Sequence, residues 1–433
     1  MNTPIYDFVK KYSGTDTVRL HMPGHKGLPF LGCEKFDITE ISGADALYNA
    51  DGIIAESERN ATELFGSKAT FYSTEGSSQC IKAMLCLAKM KSESKNFTVL
   101  ASRNVHKSFV YACGLLNIRV RWLFDESYKF SLCRCNVTAQ QLDNELKKEK
   151  ADAVYVTSPD YLGGELDIKA LSDIAHKHGV VMLVDNAHGA YLRFLQESRH
   201  PMDLGADMCC DSAHKTLPVL TGGAYLHINN EKFIDCAKKA LEMFGSTSPS
   251  YVILQSLDLC NTYLADNYKE KLHNCINNVE CLKTKLTENG WKVMESDPLK
   301  LTVLSSGINL SEKLRKNAIE CEYEDPDYTV MMFTPEIPYV AYEKIASAFG
   351  VCNIKNQPSV MSLPVPEKCM EIKDALFSEN EYVSLDDAVG RVVADTSVGC
   401  PPAVSVVVSG ERISEEAVGI MKYYGIDKIS VIK

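Results

Sequence analysis

Lys215 stands in the run Asp211-Ser212-Ala213-His214-Lys215-Thr216-Leu217-Pro218. Upstream, Asp185 closes the apolar run Val180-Val181-Met182-Leu183-Val184. An amine flanked by hydroxyl and imidazole groups, with a carboxylate at the end of a strand, is what pyridoxal phosphate chemistry requires. The amine holds the aldehyde as a Schiff base, and the acid keeps the pyridine nitrogen protonated so that the ring accepts electrons. Ser212 and His214 are placed to meet the phosphate. Taken alone, Lys215 would as readily be a surface lysine after a buried strand, so the rest of the chain decides.

Four further stretches bear on that choice. Ser73-Thr74-Glu75-Gly76-Ser77-Ser78-Gln79 precedes a helical pattern. Its small residues let backbone N–H groups and a helix N-terminus approach an anion, although an ordinary serine cap would look the same. Asn104-Val105-His106-Lys107-Ser108 follows a strand-like run and offers a flat ring that can stack on a cofactor, or simply a solvent-facing His-Lys pair. In Asp185-Asn186-Ala187-His188-Gly189 the acid follows a buried strand, where a carboxylate is costly without a partner. His188 then lies beside the ring or orients Asp185. Gly245-Ser246-Thr247-Ser248-Pro249 gathers small hydroxyl residues after a helix, which also describes a plain turn.

These residues need elements to position them. From residue 50 to 290 short apolar runs alternate with amphipathic ones. Helices are expected at Glu56–Phe65, Ser78–Lys91, from Thr138 to Lys150, and at Ile168–His178, where Gly179 stops the helix. Strands are expected at Phe97–Ala101, Val120–Phe124, Ala153–Thr157, Val180–Val184, Met208–Asp211 and Ala224–Ile228. Such alternation implies right-handed crossovers and a mainly parallel sheet, with ligands outside the carboxyl ends of its strands. A polar helix from Asn267 to Asn289 precedes a change at Gly290-Trp291. Beyond it, strands at Leu301–Ser305, Tyr328–Phe333 and Val404–Val408 mix with helices at Ala341–Phe349 and Leu385–Val393, as in an α+β domain. The expected division is an N-terminal arm of turns (1–50), a large α/β domain (51–290) and a small C-terminal α+β domain (291–433).

A net charge of −11 argues against a nucleic-acid binder, which needs a basic face. The sixteen cysteines include no Cys-x-x-Cys pair, only Cys133-x-Cys135 and the adjacent Cys209-Cys210, so no metal site is expected. The N-terminal Met1-Asn2-Thr3-Pro4 lacks a basic-then-apolar signal, which points to reduced thiols in a cytoplasm. No apolar run approaches the length of a membrane helix.

Together and in this order, the pieces resemble the bacterial ornithine/lysine/arginine decarboxylases of pyridoxal phosphate fold type I. Leu20-His21-Met22-Pro23-Gly24-His25-Lys26-Gly27 looks like that family's His-x-Pro-Gly-His-Lys-Gly signature. The stretch from Asp37-Ile38-Thr39-Glu40-Ile41 to Phe65-Gly66 is similar to its lead-in to the phosphate loop. Ser212-Ala213-His214-Lys215 resembles its Ser-x-His-Lys motif, and Cys400-Pro401-Pro402 through Gly410-Glu411-Arg412-Ile413 its C-terminal Pro-Pro segment. The resemblance is to the short members, without an N-terminal wing. It implies that Lys215 carries the cofactor, Asp185 pairs with the pyridine nitrogen and His106 stacks on the ring. It also implies that Gly76, Ser77, Ser212 and His214 hold the phosphate, and that Ser246 and Thr247 reach the phosphate of a neighbouring subunit. A homodimer with composite sites follows, open to higher assembly. Two departures stand out: Thr221-Gly222-Gly223 where many members carry Gln, and Ala403-Val404-Ser405 where Gly-Ile-Pro is usual.

The implied reaction is decarboxylation of a basic L-amino acid, with Lys215 or His106 returning the proton to Cα. The distal cation of such a substrate needs a carboxylate, and Glu320, Glu322, Glu324, Asp325 and Glu411 are the candidates. An aminotransferase or lyase of the same fold is the alternative, for which Arg193 would be the carboxylate clamp. A non-catalytic homologue serving as regulator or scaffold is the other.

Overall fold

The computed structural model describes residues 1–125, 133–305, 307–352, 364–396 and 405–433. The chain forms two compact units, one of residues 1–94 and 168–270, the other of 95–167 and 271–433. Strands of the α/β part are β1 (Ala69–Ser73), β2 (Thr98–Ser102), β3 (Arg119–Leu123), β4 (Ala153–Thr157), β5 (Val181–Asp185), β6 (Met208–Asp211) and β7 (Ala224–Ile228). Between and around them run helices α1 (Pro4–Ser13), α2 (Ile53–Phe65), α3 (Gly76–Met90), α4 (Lys107–Leu116), α5 (Ala139–Lys148), α6 (Ile168–Lys177), α7 (Ala213–Thr216), α8 (Ile234–Glu242) and α9 (Tyr251–Ala265).

In the first unit the strand order is β1-β7-β6-β5. β5 and β6 are parallel, with Asp185 opposite Cys210, while β7 is antiparallel to both β6 and β1. β1, β5 and β6 therefore run the same way, and their carboxyl ends share one edge. Met182, Leu183, Val184, Met208, Cys209, Cys210, Leu226 and Ile228 are buried, so this sheet is covered on both faces as its near-continuous apolar runs require. Residues 1–50 were expected to be turns, yet α1 lies among them. Pro4 opens it, Ile5 and Val9 form a one-turn apolar stripe, and Lys10 and Lys11 sit in its last turn. Its cap comes from far along the chain: Asp258 Oδ2, on α9, accepts the N–H groups of Ile5 and Tyr6 at 2.9 Å.

In the second unit β2 lies between β4 and β3, parallel to both. The rest of that unit is α+β. Tyr323–Glu324, Tyr328–Met332, Lys300–Leu304 and Lys292–Val293 make a four-stranded antiparallel sheet in that order. Asn380–Ser384, Lys428–Ile432 and Val393–Asp395 make a three-stranded one. The helix expected at Leu385–Val393 is instead a set of turns entering the strand Val393–Asp395. Leu385 and Ala388 are buried at a helix-like spacing, but Gly390 takes a φ of +78° and the Ser384 side chain caps the turn at Asp387 N–H. Ala403, Val404 and the segment Cys400-Pro401-Pro402 lie outside the described residues. Residues 405–408 are buried without forming a strand.

Among the described residues every cysteine is a free thiol. No described helix is long and apolar enough to cross a membrane.

Candidate active site

Three loops leave the shared edge of the first unit: Thr74–Ser77 after β1, Asn186–Gly189 after β5 and Ser212–Lys215 after β6. Asp185 ends β5 and is only 2% exposed. Its Oδ1 accepts the N–H of Ala187 at 3.2 Å and faces the Cys210 thiol at 3.7 Å. Burial, and then the charge of Asp185, push the Cys210 thiol well above its ordinary pKa, so it remains a protonated donor toward the carboxylate.

Lys215 lies on α7, a single turn begun at Ser212. Its Nζ is 2.9 Å from Nε2 of His188, which belongs to the Asp185 loop. The amine and the acid are thus carried by loops that meet. Ser212 Oγ donates to Ser77 Oγ at 2.8 Å, joining the lysine's turn to the start of α3. Gly76, with φ +68°, opens that helix, and a Cβ there would meet no atom within 4 Å. The space lies over the first turn of a 15-residue helix, whose leading N–H groups have no intrahelical acceptor. His214 Nδ1 lies 3.0 Å from the Gly223 carbonyl and donates to it. Burial pushes the His214 imidazole down; the Gly223 carbonyl opposes this and the Lys215 charge adds to it, so the ring is neutral near pH 7.

The departure at residues 221–223 braces this cradle. Gly222 accepts the Gly76 N–H at 2.7 Å through its carbonyl. It has φ +100°, and a Cβ there would stand 2.9 Å from the Thr74 carbonyl oxygen, so only glycine fits. Ser246 donates its backbone N–H to Glu75 Oε1 at 2.6 Å, which draws the Ser246-Thr247 segment to the same helix start. Both side chains are exposed. His106, in the second unit, caps α4: its Nδ1 accepts the Ser108 N–H at 3.1 Å, which fixes the ring and leaves Nε2 as the donor.

A held amine, a buried carboxylate and an open glycine cradle with two hydroxyls fit pyridoxal phosphate. The other candidates are occupied elsewhere. Glu411 is gripped by Arg103 through two hydrogen bonds of 2.7 and 2.6 Å, and its Oε2 also accepts the Val408 N–H. Glu320 and Glu324 pair with Arg315, Glu322 accepts from Tyr161, and Asp325 caps its own turn at Asp327 and Tyr328. Arg193 donates to the Leu64 carbonyl and pairs with Asp203, so its guanidinium is already engaged within the fold. Reading the sequence missed Asn186, Asp211, His200 and His227, which form one buried cluster behind the loops. The available signal was His227, an imidazole interrupting the apolar strand Ala224–Ile228.

The family model described as "Orn/Lys/Arg decarboxylase, major domain" matches residues 3–305, and its C-terminal companion matches residues 359–428. The chain belongs to the Orn/Lys/Arg decarboxylase family. As a member, it is a pyridoxal phosphate-dependent decarboxylase. It is 30% identical to the Bacillus subtilis protein YaaO, over 96% of this chain and 93% of that one. It is 28% identical to a Bacillus subtilis arginine decarboxylase, over 96% of this chain and 92% of the relative. The Francisella novicida lysine decarboxylase LdcF superposes with a TM-score of 0.83 at 16% identity, covering 100% of this decarboxylase and 81% of that structure. That likeness establishes the fold: α/β of fold type I with a mainly parallel sheet and a C-terminal domain.

Proposed function

We propose that this decarboxylase removes the carboxylate of a basic L-amino acid, with arginine the first substrate to try and lysine and ornithine after it. The observation that carries the reading is the 2.9 Å contact between Lys215 Nζ and His188 Nε2 on the edge that also holds Asp185. Arginine comes first because curated relatives named arginine decarboxylases match 94–96% of the chain at 26–28% identity.

Bound pyridoxal phosphate supplies an electron sink for the pair left when the bond from Cα to the carboxylate breaks. Lys215 is the attachment point and must act as a neutral amine. His188 Nε2 is within reach to take the proton that Lys215 sheds. Asp185, buried and hydrogen-bonded, keeps a proton on the pyridine nitrogen. Ser77, Ser212, His214 and the Gly76 turn would hold the phosphate. His106 stacks on the ring, and either it or Lys215 returns a proton to Cα. Selectivity for this bond comes from orientation in a site these loops hold rigid.

The working unit is a homodimer in which Ser246 and Thr247 reach the neighbour's phosphate. Val18, Leu20, Met22, Leu28, Phe30 and Leu31 support this: all are well exposed on one short arm, a surface that a second copy would cover. Carbon dioxide release from arginine, lysine and ornithine tests the reaction. Release of the matching amine supports it, and a keto acid product in place of carbon dioxide overturns it.

A further inference from the structure

Asp211 ends β6 and immediately precedes the turn that carries Lys215. It is fully buried, with 0% exposure, and so are His200 and His227. Its Oδ2 receives both imidazoles, His200 Nε2 at 3.0 Å and His227 Nε2 at 3.1 Å. Its Oδ1 receives the Asn186 side-chain amide at 2.7 Å. Burial pushes the Asp211 carboxyl up, but His200 and His227 pull it further down, below the usual carboxylate range. It is therefore a buried carboxylate with three donors.

The tautomers follow from the second ring nitrogens. Met202 N–H points at His200 Nδ1 at 3.4 Å, so Nδ1 accepts and Nε2 carries the proton. That tautomer makes His200 a donor to Asp211; Cys209 lies close enough to both for the three to form a group of possible metal ligands. His227 Nδ1 meets Thr70 Oγ1 at 2.8 Å. The His200 and His227 rings cross at 87°, and Phe65 packs against both. The whole arrangement is held from three directions.

Its output is Asn186. That residue is tied to β6 twice, by its side chain to Asp211 and by its backbone N–H to the Cys210 carbonyl at 3.0 Å. Gly189 makes room for it, since a Cβ there would stand 2.1 Å from Asn186 Oδ1. Asn186 follows Asp185 directly, and the next residue, Ala187, donates its N–H to Asp185 Oδ1. Asn186 thus anchors the turn whose next N–H, that of Ala187, holds Asp185 Oδ1.

We infer that Asp211, held by His200 and His227, is a positioning residue that acts through Asn186 to aim Asp185 at the cofactor's ring nitrogen while fixing the start of the Lys215 turn. This inference rests on the proposed roles of Asp185 and Lys215. A misaimed carboxylate loosens the cofactor and slows the bond-breaking step more than it weakens substrate binding.

The test compares wild type, Asp211→Asn, Asn186→Ala and the double variant, each purified with pyridoxal phosphate. Three quantities are read: the rate at which the bound cofactor's visible band decays in the presence of a scavenger, kcat with KM, and unfolding temperature. Each single variant is expected to release cofactor roughly 10- to 100-fold faster and to lose kcat on the same scale, with KM little changed. The double variant is expected to be no worse than Asp211→Asn, because the two act in series. Should Asp211→Asn fail to fold, His227→Gln and Asn186→Ala carry the same comparison. Variants that lower only the unfolding temperature, or whose effects on release add, overturn the inference. A wild type that takes up no pyridoxal phosphate overturns the reading of the site itself, which is a separate result.

Discussion

Replacing Glu411 separates a structural role from a substrate-binding one. Arg103 and Glu411 are 4% and 5% exposed in their side chains, and the guanidinium lies 4.9 and 5.5 Å from the ring centroids of Trp122 and Phe124. Glu411→Gln keeps the shape but removes the charge, leaving a buried guanidinium facing a neutral amide. Loss of one partner of a buried, doubly hydrogen-bonded pair costs about 3–5 kcal/mol, a large part of the 5–15 kcal/mol that holds a domain together. Urea unfolding of the holoenzyme should show the midpoint falling with the slope unchanged. The paired change Arg103→Met with Glu411→Leu should recover most of the loss, since neither charge is then stranded. Kinetics at a temperature where the variants remain folded should give a KM for the basic amino acid within a few-fold of wild type. A Glu411→Gln protein of normal stability, with KM raised 100-fold or more, would refute this reasoning and return Glu411 to the substrate's distal cation.

Three other outcomes follow. Gly222→Ala puts a Cβ against the Thr74 carbonyl at a φ of +100°, so it should cost about 1–3 kcal/mol by thermal unfolding and weaken cofactor retention through Gly76. Asp258 has its carboxyl raised to about 6 from 3.8, chiefly by burial, so the folded state binds the proton more tightly than the unfolded one. Stability should therefore rise as pH falls from 6 toward 4 through this group, and Asp258→Asn should flatten that slope in urea titrations across the window. Arg193→Met removes the Asp203 pair, and product analysis should still show carbon dioxide and no keto acid.

What the sequence revealed and what it hid divide on physical grounds. The strand Val181–Asp185 and the turn Ser212–Lys215 were readable because a run of apolar residues ending in an acid, and hydroxyl and imidazole groups beside a lysine, are local patterns. Thr138 was readable as a cap because its own hydroxyl oxygen accepts the Gln141 N–H at 3.1 Å, three residues on. α1 was hidden because its cap, Asp258, is supplied from another part of the chain. Glu411 looked free for the same reason: its partner is 308 positions away. Leu385 and Ala388 mimicked a helix because burial in a turn can fall at the same spacing. The Asp211 cluster was invisible as a unit, since its members come from β6, β7, the loop after β5 and the segment at His200, and only the sheet order joins them.

The most direct test of the central claim is the visible absorption band of the purified protein with pyridoxal phosphate, measured beside carbon dioxide release from arginine, lysine and ornithine. The wild type should show the band and release carbon dioxide with one of these substrates, and Lys215→Ala should lose both. A wild type that stays colourless with added cofactor, or a Lys215→Ala variant that keeps the band and the activity, would contradict the account.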